Sequence, residues 1–108
     1  YFAHNNLGFS LNQLGQFVEG EASCRAALEI LPALPNAYKN LGLALAGQGR
    51  WREAARCYLD GSRVAPYDNR SCWLLDQLLH DQPELEAEFG EGAIEARKLV
   101  GGARAWRN

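Results

Sequence analysis

The side chains that most often carry out catalysis are sparse in this sequence. Its two histidines, His4 and His80, stand outside any motif that would pair a base with a serine or cysteine nucleophile. The aspartates and glutamates are scattered rather than spaced as metal ligands. The sequence therefore predicts no catalytic residue, no metal site and no cofactor, and we expect the chain not to be an enzyme.

Cysteine is the other residue type that could support chemistry. Cys24, Cys57 and Cys72 form an odd set without a Cys-x-x-Cys pair, which argues against a disulfide framework and against a zinc site. We expect them to be reduced thiols that pack as small buried hydrophobes. Unpaired cysteines favour a cytoplasmic location.

One segment, residues 49–56, places three arginines around Trp51 and could suggest a contact with nucleic acid. The overall charge does not favour that partner, since the formal net charge is −2 and the pI is about 5.6. We interpret Trp51 as a packing residue and the arginines as a solvated outer face. No apolar run approaches the roughly 20 residues that cross a membrane. The sequence thus predicts neither a nucleic-acid partner nor a membrane partner.

An internal repeat organises the chain as far as residue 67, and its period is the interval from Gly8 to Gly42. A fixed period of this length is typical of stacked repeats, in which each unit leaves a face that its neighbour covers. Pairs of identical residues with this separation include Asn6 and Asn40, Leu7 and Leu41, Gly8 and Gly42, Leu11 and Leu45, Gly15 and Gly49, Glu19 and Glu53, and Pro32 and Pro66.

Each unit is predicted to be a helix hairpin, because its apolar residues recur every three or four positions. Gly15 and Gly49 stand where a left-handed residue ends the first helix, and Pro32 and Pro66 end the second.

Gly8 and Gly42 fall in the middle of the first helix of each unit, where glycine costs about 1 kcal/mol relative to alanine. Close approach of the second helix would offset that cost, and the small residues Gly20 and Ala54 would permit it. The sequence therefore predicts a tight contact between the two helices of each hairpin.

These positions resemble the tetratricopeptide repeat family, a helix-turn-helix repeat with aromatic, Leu-Gly, small and proline positions at fixed spacing. The resemblance implies an all-α fold, a right-handed α-solenoid of about three helix-turn-helix hairpins in which the first helices line a concave groove. Pentatricopeptide repeats fit less well, because their period is one residue longer and their surface more basic. The matching residues are His4 and Tyr38, Leu7-Gly8 and Leu41-Gly42, Leu11 and Leu45, Gly20 and Ala54, Cys24 and Tyr58, Ala27 and Gly61, Pro32 and Pro66.

The pattern decays in the last third of the chain. We divide the single domain into repeat 1 (1–34), repeat 2 (35–68), a degenerate third or capping hairpin (69–100) and a tail (101–108). A helix is predicted to open at Asp68 or Asn69 and to end near Asp81, which then caps the next helix in a capping box.

The last helix is expected to end near Val100, because Gly101-Gly102 is a stop signal. Gly90 and Gly92 allow the segment 82–100 to be split into two short helices.

The predicted function is protein recognition in the concave groove. Asn6 and Asn40 are expected to hold the backbone of a bound peptide or short helix, a role that the resemblance implies for asparagine here; the alternative is a solvated amide without a partner. Phe9, Leu43 and Trp73 would supply apolar contact, and Lys39 and Arg70 would favour an acidic group on the ligand. The predicted site is Asn5, Asn6, Phe9, Asn12, Lys39, Asn40, Leu43, Arg70, Trp73 and Gln77, with Phe2, Gln13, Asn36 and Leu74 on the same face.

The carboxylate clamp of chaperone-tail-binding family members is reproduced only in part. Asn40 and Arg70 occupy clamp positions, but Asn5 stands where a lysine is expected and Phe9 where an asparagine is expected. The sequence therefore does not predict capture of an acidic C-terminal tail.

Two alternatives remain open. The module can be a self-assembly or scaffold element, with identical copies meeting at the ends of the stack, or a regulatory appendage of a larger enzyme. The sequence contains no methionine, so we expect it to be a piece of a longer polypeptide.

Overall fold

The protein is described here by a computed structural model that covers the backbone of residues 2–107 and the side chains of residues 3–34 and 36–101. Over this range the chain is helical and contains no β-strand, so the predicted all-α class is confirmed. Six α-helices and one 3₁₀ turn follow in order: α1 (Phe2–Gln13), α2 (Phe17–Ile30), α3 (Pro35–Gly47), α4 (Trp51–Val64), α5 (Arg70–Asp81), a 3₁₀ turn (Pro83–Leu85) and α6 (Glu86–Arg107).

The first two hairpins turn in the same way. Gly15 and Gly49 adopt φ angles of 77° and 75°, the left-handed region that glycine enters without a steric penalty. Beyond each glycine the chain bonds back to the helix that it has left: Gln16 N–H donates to the Leu11 carbonyl at 2.8 Å. Arg50 N–H donates in the same way to Leu45, at 3.0 Å. Both turns are Schellman caps, which confirms the predicted ends of α1 and α3.

The contact between α1 and α2 is as close as the glycines predicted. A Cβ added to Gly8 would lie 2.5 Å from Cys24 Sγ and 3.3 Å from the carbonyl oxygen of Gly20. In the second hairpin a Cβ added to Gly42 would overlap the ring of Tyr58, the repeat equivalent of Cys24. Tyrosine is larger than cysteine, so its ring covers the second glycine, where the sequence had pointed to Ala54 as the neighbour.

The largest buried cluster extends from α2 to α6. It joins Leu41 and Leu45 of α3 to Tyr58 of α4, Leu75 of α5 and Phe89 of α6, all of which are almost fully buried. Burying an aliphatic or aromatic side chain of this kind contributes about 1.5–3 kcal/mol each. These contacts hold the irregular third hairpin on the first two.

The start of the third hairpin agrees with the prediction, but its turn does not. Asn69 precedes α5, which ends at Asp81 as expected. The predicted capping box is wrong, because Asp81 is the last residue of α5. The 3₁₀ turn begins after Gln82 and no side chain caps it. Pro83 opens that turn, which leads into α6.

Helix α6 is longer than the sequence predicted. It runs through Gly90, Gly92 and the Gly101-Gly102 pair to Arg107, so the expected end near Val100 and the tail 101–108 are wrong; residue 108 lies outside the described residues. Between Phe89 and Val100 the reason is tertiary, since one side of α6 is buried there at helical spacing and this burial outweighs the low helix propensity of Gly90 and Gly92. The buried residues are Phe89, Ala93, Ala96 and Val100.

Packing between helices follows the chain order. Each helix from α1 to α5 contacts the next one, and α6 contacts both α4 and α5. In addition α1 contacts α3, and α3 contacts α5. The first helices of the three hairpins therefore lie side by side, and the residues predicted to bind a ligand are on these helices.

Candidate functional site

A pocket of about 400 Å³ opens between α3 and α5. Lys39 and Leu43 are one turn apart on α3, and Trp73 lies one turn after Arg70 on α5, so each pair shares a helix face. The structure thus brings four of the predicted site residues together. The lining residues are Lys39, Leu43, Asn69, Arg70, Trp73 and Leu74.

Trp73 is the main apolar feature of this pocket. Its side chain is 60% exposed, although tryptophan is usually well buried in folded proteins. Leu43 and Leu74, both half-buried, line the same pocket. An exposed indole beside aliphatic side chains provides a surface on which an apolar group of a ligand can pack.

Arg70 is fixed at the edge of the pocket. Its Nε and Nη2 donate to the carboxylate of Asp68, with the shortest contact at 2.6 Å, and Nη2 also donates to Asn36 Oδ1 at 2.6 Å. The backbone N–H of Arg70 donates to Asp68 Oδ1 at 3.0 Å. These hydrogen bonds from Arg70 lower the pKa of Asp68 below its usual range. The guanidinium is therefore oriented in advance and largely neutralised by Asp68.

Lys39 supplies the charge that is not neutralised. Burial lowers the pKa of Lys39 and repulsion from Arg70 lowers it further, whereas Asp68 opposes the shift. Within the described part of the chain no ion pair involves Lys39. With two cations and one carboxylate, the pocket has a net positive charge and suits a ligand that places an acidic group next to an apolar one.

Three of the predicted asparagines contact one another instead of the pocket. Asn40 Nδ2 donates to Asn5 Oδ1 at 3.0 Å, and Asn12 Nδ2 donates to the backbone carbonyl of Asn40 at 2.9 Å. Asn5 and Asn40 are 6% and 3% exposed. In this structure their amides hold α1 against α3. The side-chain oxygens of Asn12 and Asn40 are buried without a hydrogen-bond partner among the described residues.

The remaining predicted residues are exposed on α1 and α5. Asn6, Phe9 and Gln77 have exposed side chains and do not line the pocket at Trp73. Asn6 and Asn40 occupy equivalent repeat positions but stand in different environments, one in solvent and one in the interior. The side chain of Phe2 lies outside the described residues.

Sequence reasoning did not assign two residues of the site. It treated Asp68 and Asn69 as helix caps, but the structure shows Asp68 binding Arg70 and Asn69 lining the pocket. The position of both residues in the sequence could have indicated their place in the site, because residues just before a helix lie next to its first turn, where Arg70 stands.

The arginines around Trp51 are engaged within the protein. Arg50 binds Glu21 at 2.7 Å and also Glu53, and Arg52 binds Glu88 at 3.0 Å. The guanidinium of Arg56 lies 5.2 Å from the centre of the Phe89 ring, a cation–π distance. Each of these arginines thus has a partner within the chain.

The thiols are placed for packing. All three cysteines are free; Cys24 and Cys72 are buried and Cys57 is half-buried. Burial raises the pKa of Cys24 to about 11 and that of Cys57 to about 12, so both stay protonated at neutral pH. Among the described residues no group of three or more His, Cys, Asp or Glu side chains could hold a metal ion.

Among the described residues, no helix combines the length and the apolar character that are needed to span a membrane.

Comparison with curated proteins gives a similarity that extends over most of the chain. No protein-family model matches the sequence. The chain is 34% identical over 102 residues to the protein POLLENLESS 3-LIKE 2 of Arabidopsis thaliana, a match that includes 87% of this chain. It covers 24% of that relative, so the chain spans about a quarter of the relative's length.

Proposed function

We propose that this chain is a protein-interaction module of the tetratricopeptide type, which binds a peptide segment or a short helix of a partner protein and performs no chemistry of its own. The constant repeat period, the identical caps at Gly15 and Gly49, and the side-by-side packing of α1, α3 and α5 support the stacked arrangement.

The observation that carries this proposal is the exposed Trp73 in a positively charged pocket between two of the first helices. An apolar side chain of the ligand would pack on Trp73 and Leu43, and an acidic group would pair with Lys39. Arg70 is already paired with Asp68, so its main role is to shape the edge of the pocket. Peptide grooves commonly combine an apolar anchor with a few polar contacts in this way.

The amides contribute in two ways. Asn5 and Asn40 set the position of α1 against α3, so their effect on a ligand is indirect. Asn6, Phe9 and Gln77 extend the surface beyond the pocket, and Asn6 is free to bond the backbone of a ligand. A direct role for Asn40 would require the hydrogen bond to Asn5 to break.

The affinity should be modest. The pocket is open and a peptide would lose conformational freedom on binding, so we expect a Kd on the order of micromolar.

The proposal is tested by selecting binders from a phage-displayed library of random peptides and measuring their Kd by isothermal titration calorimetry. Binding should weaken by about tenfold or more in Trp73→Ala, because truncating an aromatic anchor that a ligand buries typically costs about 2 kcal/mol or more. Trp51→Ala, on α4, is the matched control; it should retain binding once its fold is checked by thermal melting. Selected peptides that bind both variants equally would contradict the proposed site.

A further inference from the structure

One face of α1 repeats a face of α3 but is not covered. Leu7 of α1 is 51% exposed, whereas its repeat equivalent Leu41 is 3% exposed. Leu11 is half-buried, whereas its equivalent Leu45 is 1% exposed, and Leu14, just after α1, is 72% exposed. We call this surface the α1 face and define it as Ala3, Leu7, Ser10, Leu11 and Leu14, which lie one repeat period before Ala37, Leu41, Ala44, Leu45 and Gln48.

The equivalent face of α3 is covered by the hairpin that precedes it. Leu41 and Leu45 share a buried cluster with Cys24 of α2, and both α1 and α2 contact α3. At the end of α3, Gln48 Nε2 donates to Glu21 Oε1 at 3.0 Å, and the ring of Phe17 lies against Gly47. The α3 face is thus a receptor for the second helix of a hairpin.

We propose that the α1 face docks another helix hairpin of the same repeat length, whose second helix would lie on α1 as α2 lies on α3. This inference is independent of the pocket at Trp73. A second copy of the chain fits the face poorly, because the α2 helix that would have to cover it is already packed on its own α3. The relative is about four times as long as the region it shares with this chain, so a polypeptide of that kind has room for a further hairpin.

Two positions near the ends of α1 and α3, at which equivalent residues of the two repeats differ, indicate the chemistry of the docked helix. Leu14 replaces Gln48, so an apolar residue should stand where α2 carries Glu21. Gln13 replaces Gly47, so a residue smaller than Phe17 should lie over it. The docked hairpin should therefore carry an apolar residue at the position of Glu21 and a small residue at the position of Phe17 in its second helix.

The test fuses a second copy of residues 1–34 to the N-terminus of the whole chain. The added copy then directly precedes repeat 1, just as repeat 1 directly precedes repeat 2. In the added copy Glu21 is changed to Leu and Phe17 to Ala, to suit Leu14 and Gln13. A flexible Gly/Ser extension of equal length serves as the control for simply moving α1 away from the terminus. We expect the amides of α1 to exchange with solvent about tenfold more slowly in the hairpin fusion than in the Gly/Ser control.

The same pair of proteins gives a second readout through Leu7→Ala. This substitution should lower the urea midpoint more in the fusion than in the unextended chain, since it removes a contact that only the docked hairpin makes. Ile30→Ala should act equally in both, because Ile30 and its equivalent Val64 are exposed in both repeats. Unchanged exchange, or equal Leu7→Ala effects, would overturn the proposal. So would a dimer of the unextended chain that Leu7→Asp dissociates, because the face would then belong to a second copy.

Discussion

Asn40 of α3 donates a hydrogen bond to the side-chain oxygen of Asn5 in α1, at 3.0 Å and in the protein interior. The bond joins the first helices of two successive hairpins. It therefore helps to fix the spacing of the helices that form the proposed binding surface.

Breaking this bond should destabilise the protein. Asn40→Ala leaves the buried oxygen of Asn5 without a donor, so we expect a loss of about 1–3 kcal/mol in the free energy of unfolding, measured with urea. Asn6→Ala, at the equivalent but exposed position, is the matched control and should stay within about 0.5 kcal/mol of the wild type. Similar losses in the two variants would contradict the packing role of Asn40.

The close contact of α1 and α2 at Gly8 leads to a second prediction. Gly8→Ala gains helix propensity but places a methyl group 2.5 Å from Cys24 Sγ, so overpacking should cost about 1–3 kcal/mol. Gly101 is also helical, but an added Cβ meets no described atom outside the neighbouring backbone of its own helix within 4 Å. Gly101→Ala should therefore be neutral or stabilising by about 1 kcal/mol, and urea unfolding of both variants checks the difference in sign.

The pairing of Asp68 with Arg70 predicts a pH dependence. The pKa of Asp68 is lower in the folded protein than its ordinary value, so the pair stabilises the fold above that ordinary value. This stabilisation is lost as the pH falls through the lowered pKa. The difference in unfolding free energy between the wild type and Asp68→Asn should consequently be present at neutral pH and shrink towards acid.

Asp81, an exposed residue at the end of α5, offers a control for the general loss of a negative charge. Chemical unfolding of Asp68→Asn, Asp81→Asn and the wild type across the acid range makes the comparison. If the gap between the wild type and Asp68→Asn were unchanged on acidification, the pair would not be a pH-linked contact.

The parts of the fold that the sequence predicted correctly depend on local chemistry. Gly15 and Gly49 end their helices because the turn requires a positive φ, and the residue type alone indicates this. Gly90 and Gly92 of α6 also suggested a break, but no turn forms there, because the buried stripe that begins at Phe89 keeps the helix intact. A stop signal is thus reliable only where no tertiary contact opposes it.

Burial was harder to predict than helix position. Leu7 and Leu41 are identical residues in identical local patterns, yet one is half exposed and the other is buried. What separates them is the presence of a preceding hairpin, which local sequence does not record. The same reason explains why Asn6 and Asn40 differ, and why a matched asparagine pair does not imply a matched function.

The proposed pocket can be tested most directly by the indole N–H resonance of Trp73 in a ¹H–¹⁵N spectrum, recorded while a selected peptide is titrated into the protein. The chain has three tryptophans, so the indole signals are few and can be assigned by single substitutions. We predict a saturable shift of the Trp73 signal with little change in that of Trp51. A peptide that binds while the Trp73 signal stays in place would contradict the proposed site.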